Sequence, residues 1–125
     1  MVDAMGILRT SISIEHPARR GTMIELSDVI VDTGSEYTWL PRPVVESLGL
    51  RPERVVDFVT ADGRQIERGV GFANVYVEGT STPDIVVFAE RGDLVLLGAH
   101  ALEGLNLRVD VLGRRLVHGG PVPAA

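Results

Sequence analysis

Val29-Ile30-Val31-Asp32-Thr33-Gly34-Ser35 is a short apolar run that stops abruptly on a carboxylate, and Trp39-Leu40-Pro41 follows close behind it. A continuous apolar run of this length reads as a strand buried on both faces. A carboxylate at the end of such a strand is expensive to bury without a basic partner, so Asp32 needs hydrogen bonds or a chemical reason. Gly34 lets backbone amides approach that carboxylate, and Ser35 can donate its hydroxyl to it. The plain structural reading is a strand-end turn closed by an Asx-type bond.

Outward from this point the chain reads as strands. Upstream, Ile12 and Ile14 alternate with Ser11 and Ser13, a half-buried strand ending near Pro17. Arg19-Arg20-Gly21 forms a turn, and Thr22 to Leu26 returns antiparallel. Downstream, Pro43 to Leu48 is a helix with Pro43 at its first position and Gly49 as its stop. Val55 to Ala61 and Gln65 to Glu78 flank Asp62-Gly63, a strong hairpin signal. Ile85 to Phe88 and Leu94 to Leu97 are further apolar runs, separated by the solvated turn Glu90-Arg91-Gly92-Asp93. A second short helix covers Ala99 to Glu103 and is ended by Gly104. Leu105, Leu107, Val109 and Val111 alternate with polar residues, and Leu112-Gly113-Arg114 turns that strand back into Arg115 to His118. Gly119 to Ala125 is a loose Pro/Gly-rich tail. Many short strands with frequent turns describe an all-β, closed or nearly closed barrel with one or two short helices. Apolar strand, glycine, short helix, glycine occurs twice, at Val29 to Gly49 and at Leu94 to Gly104.

Composition narrows the chemistry. At 125 residues the chain predicts one domain over 1–125, large enough to bury a core without staples. There is no cysteine, which removes disulfides, thiol nucleophiles and thiolate metal sites. All twelve cations are arginine, so Schiff-base and P-loop lysine chemistry are absent too. A net charge of −5 has the wrong sign for a nucleic-acid partner. No apolar run reaches the ~20 residues of a membrane span, and Met1 to Thr10 lacks a charged segment before a long apolar one, so a cytoplasmic protein is expected. His16, His100 and His118 have no ligand spacing and read as surface or turn residues. Gly69-Val70-Gly71 lacks the third glycine of a dinucleotide loop and reads as strand glycines that permit a bend. No nucleophile-elbow sequence surrounds Ser35. Tyr37 and Trp39 read as core or pocket wall.

The ordered set resembles the retropepsin-like aspartic proteases, in their single-domain cellular and prokaryotic branch. It comprises Val29 to Ser35, Trp39-Leu40-Pro41, a short helix ending at Leu48-Gly49-Leu50, and Leu96-Leu97-Gly98 before Ala101-Leu102-Glu103. Gly98 lies 64 positions after Gly34, and Thr60-Ala61-Asp62-Gly63-Arg64 looks like the family's flap. The likeness covers roughly Ile7 to His118. It implies a homodimer, an aspartic endopeptidase with one catalytic Asp32 per chain, supported by Thr33, Gly34 and Ser35, and neither metal nor organic cofactor. Leu96, Leu97 and Gly98 would form the second motif, and Ala61, Asp62, Gly63 and Arg64 the flap over a peptide or protein substrate. The resemblance further implies that Thr33 bonds across the dimer below the dyad. A hydroxyl donated by Ser35 to the ionised Asp32 would favour that form and make the optimum acidic.

Two departures stand out. Many retroviral members carry an arginine directly after the second-motif glycine, paired with an acid shortly after Asp-Thr-Gly; here Ala99 takes that place and Glu36 is left without a partner. The tail Gly119-Gly120-Pro121-Val122-Pro123 is poor material for an interleaved terminal strand. The alternative function is a non-catalytic dimeric module that binds an extended peptide on the same fold.

Overall fold

Alternation of apolar and polar residues shapes the first hairpin of the structure, a computed structural model that describes residues 6–124. The readings made at Met1–Met5 and Ala125 therefore lie outside the described residues. In β1 (Arg9–Glu15), Ile12 and Ile14 are buried. β1 pairs antiparallel with β2 (Met23–Val31), with Ile12 opposite Leu26 and Thr10 opposite Val29. Ser27 and Asp28 are thus opposed by Ser11 alone, and Asp28 has φ of 57°. This bulge corrects the sequence reading of two pieces. Thr22 precedes β2, and Met23–Leu26 and Val29–Val31 belong to that one strand, whose inward parity switches at the bulge. Ile24 and Leu26 face the core before it, Val29 after it. Val29 is buried, whereas Ile30 and Val31 are only half-buried.

Four strands follow: β3 (Thr38–Pro41), β4 (Arg54–Val59), β5 (Gln65–Val77) and β6 (Thr80–Ala89), with α1 (Arg42–Ser47) after β3. Pro43 sits in the first turn of α1, and Gly49 just beyond it has φ of 83°, as its stop role requires. β6 starts earlier than its apolar run, because Thr80 to Pro83 continues the hairpin with β5. β7 is only Leu96–Leu97, shorter than the run from Leu94. α2 spans Ala99–Leu105, and its stop is Asn106 at φ 54°, not Gly104. Gly104 lies inside the helix because a Cβ there would stand 2.2 Å from Thr82 Oγ1. β8 (Leu107–Asp110) and β9 (Arg115–His118) make the last hairpin, so Leu105 belongs to the helix and Val111 to the turn.

Hydrogen bonding runs β1-β2-β7-β3-β6-β5, and β5 returns to β1 through Ser13 opposite Tyr76, so the strands close a ring. β4 hangs outside it on β5, and β8–β9 is a separate sheet. Inside the ring lie Ile12, Ile14, Leu40, Val75, Val86, Phe88 and Leu97, joined by Val45 of α1 and Ala101 of α2. Each buried valine, leucine, isoleucine or phenylalanine side chain contributes about 1.5–3 kcal/mol.

At the closing seam Glu15 is 1% exposed. It accepts hydrogen bonds from the Gly21 amide at 2.6 Å, Asn74 Nδ2 at 2.9 Å and the Tyr76 hydroxyl at 2.8 Å. Arg20 Nε adds an ion pair at 2.9 Å. These donors, Gly21 foremost, hold its carboxyl at about 2.

Two further sequence readings change. The segment Glu90–Asp93 is a turn, but not simply a solvated one. Arg42 Nη2 meets Glu90 at 2.7 Å and Arg68 Nε meets Asp93 at 2.7 Å, the latter pair 17% and 15% exposed. Gly69 and Gly71 sit within an unbroken β5, where a Cβ would press on Pro52 and on the Arg51 carbonyl, so close approach, not a bend, explains them. At the chain's end Asn106 holds the start of the tail, its carbonyl accepting from the Gly119 amide at 2.8 Å and its Nδ2 donating to the Gly120 carbonyl at 2.8 Å. No helix among the described residues is long and apolar enough to cross a membrane.

Candidate active site

Asp32 leaves β2 just after the residues that pair with β7, Ile30 with Leu96 and Val31 with Leu97. Its amide extends that ladder by donating to the Leu97 carbonyl at 2.9 Å. The turn that follows is closed on both sides of the residue. The Gly34 amide donates to Asp32 Oδ1 at 2.9 Å, and the Ser35 amide to the Asp32 carbonyl at 3.2 Å. The approach of backbone to carboxylate expected of Gly34 is therefore present, as an Asx-type turn. Asp32 is half-exposed, and Thr33 and Gly34 are exposed.

Ser35 does not play the part expected of it. Its hydroxyl donates to the Tyr37 carbonyl at 3.0 Å, spanning its own loop rather than reaching Asp32. The sequence placed a donor beside a carboxylate, but the turn presents a backbone acceptor first, a competition that serine often settles locally.

β7 is wedged between β2 and β3, so Leu96-Leu97-Gly98 lies directly against the Asp32 loop. The Ala99 amide donates to the Ser35 carbonyl at 2.7 Å, the His100 amide to the Glu36 carbonyl at 3.1 Å, and the Gly98 amide to Thr38 Oγ1 at 3.2 Å. Only glycine fits at 98, since a Cβ would stand 2.4 Å from the Tyr37 carbonyl oxygen. The two segments that the sequence separated by more than sixty residues are one hydrogen-bonded unit. Glu36 has no side-chain partner among the described residues.

The β4–β5 hairpin carries Ala61, Asp62, Gly63 and Arg64 at its tip, with Gly63 at φ 87°. The tip braces itself: the Gly63 amide donates to the Thr60 carbonyl at 2.9 Å, Arg64 Nε pairs with Asp62 at 3.1 Å, and the Thr60 hydroxyl donates to Asp62. That hydroxyl, then Arg64, keeps the Asp62 carboxyl below its ordinary range. Between this hairpin and the Asp32 loop lies a groove of about 370 Å³, lined by Gly34, Ser35, Glu36, Tyr37 and Trp39 on one side and Phe58, Val59, Thr60 and Ile66 on the other. The Phe58 ring lies 5.0 Å from Trp39 and edge-on to Tyr37 at 6.2 Å. Tyr37 and Trp39 are thus pocket wall, as their setting suggested. Phe58 and Ile66 escaped the sequence reading because their alternation looks like that of any exposed hairpin. On the other side of the Asp32 loop a second recess, about 400 Å³, is lined by Thr33, Ala99, Leu102, Glu103 and the β8 residues Leu107, Arg108 and Val109.

Asp84 was also missed. This β6 carboxylate is 2% exposed and stands 3.1 Å from His100 Nδ1. A lone acid beside Pro83 at the head of an apolar run was its only signal in sequence. The histidines lie apart, His16 after β1, His100 on α2 and His118 on β9, and no cluster of three or more potential metal ligands occurs among the described residues.

Comparison with known proteins agrees with this geometry. Residues 26–104 match the family described as "gag-polyprotein putative aspartyl protease". Among solved structures, the protease of simian foamy virus (mac) is similar at a TM-score of 0.51 and 21% identity, over 78% of this chain and 91% of that one. No curated protein matches the sequence significantly. The matched span runs from β2 into α2 and takes in both motif segments, the β4–β5 hairpin and the groove; the chain belongs to the retropepsin-like aspartic protease family.

Proposed function

We propose that the chain is a cytoplasmic aspartic endopeptidase, a single domain over residues 1–125 that hydrolyses peptide bonds as a homodimer with Asp32 of each copy forming the catalytic dyad. One observation carries the reading: a single Asp-Thr-Gly turn, bonded to a distant apolar-glycine motif, opens onto an apolar groove beneath a hairpin. A two-fold axis brings a residue beside its own mate, which is how one carboxylate per chain becomes a pair. Two carboxylates in contact hold one proton between them. The ionised member takes a proton from a water that attacks the peptide carbonyl, and the protonated member stabilises the developing oxyanion. Thr33 belongs to the face that meets the second copy, with the recess beside β8 on the same side. Gly34 leaves room above the dyad for an extended backbone. Ala61 to Arg64 close over it and exclude water. Tyr37, Trp39, Phe58 and Ile66 receive an apolar side chain of the substrate, a peptide or unfolded protein. Neither a metal nor an organic cofactor has a part in this reading.

The test incubates the protein with a denatured protein substrate and follows fragments, with Asp32→Asn in parallel and light scattering at each concentration. Cleavage by wild type alone, from a dimer, is expected. Equal cleavage by the variant, or full activity from a monomer at every concentration, overturns the dyad. Peptide binding by both proteins without cleavage points instead to the non-catalytic module.

A further inference from the structure

Beside the two motif segments, and not among the groove's lining residues, lies a buried carboxyl. Asp84 is 2% exposed on β6. Its Oδ1 accepts from the Ile85 amide at 2.9 Å and meets His100 Nδ1 at 3.1 Å, while Oδ2 has no hydrogen-bond partner. Burial pushes this carboxyl up; the nearby Thr38 hydroxyl and His100 work against that, although Thr38 closes no hydrogen bond on Oδ2. A buried polar atom left unsatisfied is costly, and an apolar residue would be cheaper in a site of pure packing.

Its two side-chain neighbours belong to the two motif segments. Thr38 follows the Asp32 loop, and its Oγ1 receives the Gly98 amide at 3.2 Å. His100 opens α2, and its own amide holds the Glu36 carbonyl at 3.1 Å. Asp84 therefore stands by both segments: it meets the His100 side chain directly, and the Thr38 hydroxyl lies near enough to act on its carboxyl. Ala99, between Gly98 and His100, offers no charge to Glu36, so among the described residues backbone amides alone hold its carbonyl.

We propose that Asp84 and His100 are a positioning pair that fixes the second motif against the Asp32 loop. The effect on catalysis rests on the endopeptidase reading; the effect on the loop does not. With the imidazole anchored, the His100 and Ala99 amides stay on the Glu36 and Ser35 carbonyls, and the Asx turn keeps Asp32 aimed. Without it the α2 end loosens and Asp32 loses aim, while the groove walls on β4 and β5 stay put.

The experiment combines peptide kinetics with residue-resolved amide hydrogen exchange on full-length wild type, His100→Ala and His100→Asn. The Asn side-chain nitrogen sits close to where Nδ1 was, so it restores the contact to Asp84. In His100→Ala, kcat should fall about 10- to 100-fold with KM within about twofold. Exchange at Ser35, Ala99 and His100 should quicken about tenfold or more, with Val75, Val86 and Phe88 unchanged. His100→Asn should recover most of both. Asp84→Asn, which keeps the shape and loses the charge, should show the same pattern at smaller amplitude and serves if His100→Ala does not fold. Unchanged loop exchange, equal acceleration at all of these amides, or no recovery in His100→Asn would overturn the proposal. Local loosening in a protein that cleaves nothing would sustain the positioning pair and sink the endopeptidase.

Discussion

The Asp32 amide donates to the Leu97 carbonyl at 2.9 Å, which carries the β2–β7 ladder into the Asp32 loop and joins the two halves of the candidate site. The bond uses only the backbone of Asp32, so it holds the loop while leaving the carboxylate free of it.

Asp32→Asn should abolish turnover and leave the fold intact. The side-chain oxygen of asparagine can still accept the Gly34 amide, and the site is half-exposed, so stability should change by less than about 0.5 kcal/mol or rise slightly as the dyad's repulsion disappears. Fragment analysis together with thermal melting of both proteins checks this; retained cleavage moves the chemistry elsewhere.

The pH dependence of the rate should be a bell whose two apparent values belong to the pair of carboxylates. Because Ser35 donates to Tyr37, removing its hydroxyl should leave both limbs where they are, contrary to what the sequence suggested. Ser35→Ala should instead lower stability by roughly 0.5–1.5 kcal/mol, the worth of one hydrogen bond. A pH–rate profile in which the alkaline limb moves upward would show that the hydroxyl turns to Asp32 in the working enzyme.

Glu15 gives the fold an acid-sensitive seam. Its carboxyl is held at about 2 against an ordinary 4.5, so the unfolded chain binds its proton first as pH falls. The contribution is complete above about 4.5 and drains away as pH drops toward 2. Glu15→Gln should melt lower than wild type at pH 7, and the gap should close between those two values. Melting curves across pH 2–7 decide it; a constant gap would assign the loss to packing.

Gly104→Ala pits two effects against each other. Alanine favours a helix over glycine by about 1 kcal/mol. Its Cβ, however, would stand 2.2 Å from Thr82 Oγ1, and overpacking of that kind costs typically 1–3 kcal/mol. The clash should win, and adding Thr82→Ala should recover the loss, as measured by denaturant unfolding.

At the β4–β5 tip, proposed as the flap, Gly63→Val should alter kcat and KM together without unfolding the ring. Nothing lies within 4 Å of a Cβ at 63, so the strain at φ 87° is the entire disturbance. Unchanged kinetic constants would remove this tip from the reaction.

Legibility followed sequence distance. The Asp32 turn, the Asp62-Gly63 hairpin tip and the strand β8 could be read because each is encoded within a few residues. Parity and turn chemistry are local facts. The bulge at Asp28 escaped because nothing in Leu26-Ser27-Asp28-Val29 says that a strand continues through it with its face exchanged. The acceptor of Ser35 is local, yet two acceptors compete within its own loop and the sequence does not rank them. The neighbour that forbids a side chain at 104 and the partner of Asp84 escaped for another reason: each is settled by a segment brought in from elsewhere, Thr82 from β6 and His100 from α2. The groove was half legible: Trp39 could be suspected, but Phe58 facing it required the hairpin's fold-back.

The ring closes late in the order of events. β1 must find β5, with Ser13 opposite Tyr76, and β2 must admit β7, with Val31 opposite Leu97, across some sixty residues in each case. Pairings so remote in the chain pay their loop entropy before they return anything, so they form slowly and near the end of folding. A chain not yet extended past β7 has its Asp32 loop without the strand that frames it. The setting of this carboxylate is therefore a property of the finished ring and not of the growing chain.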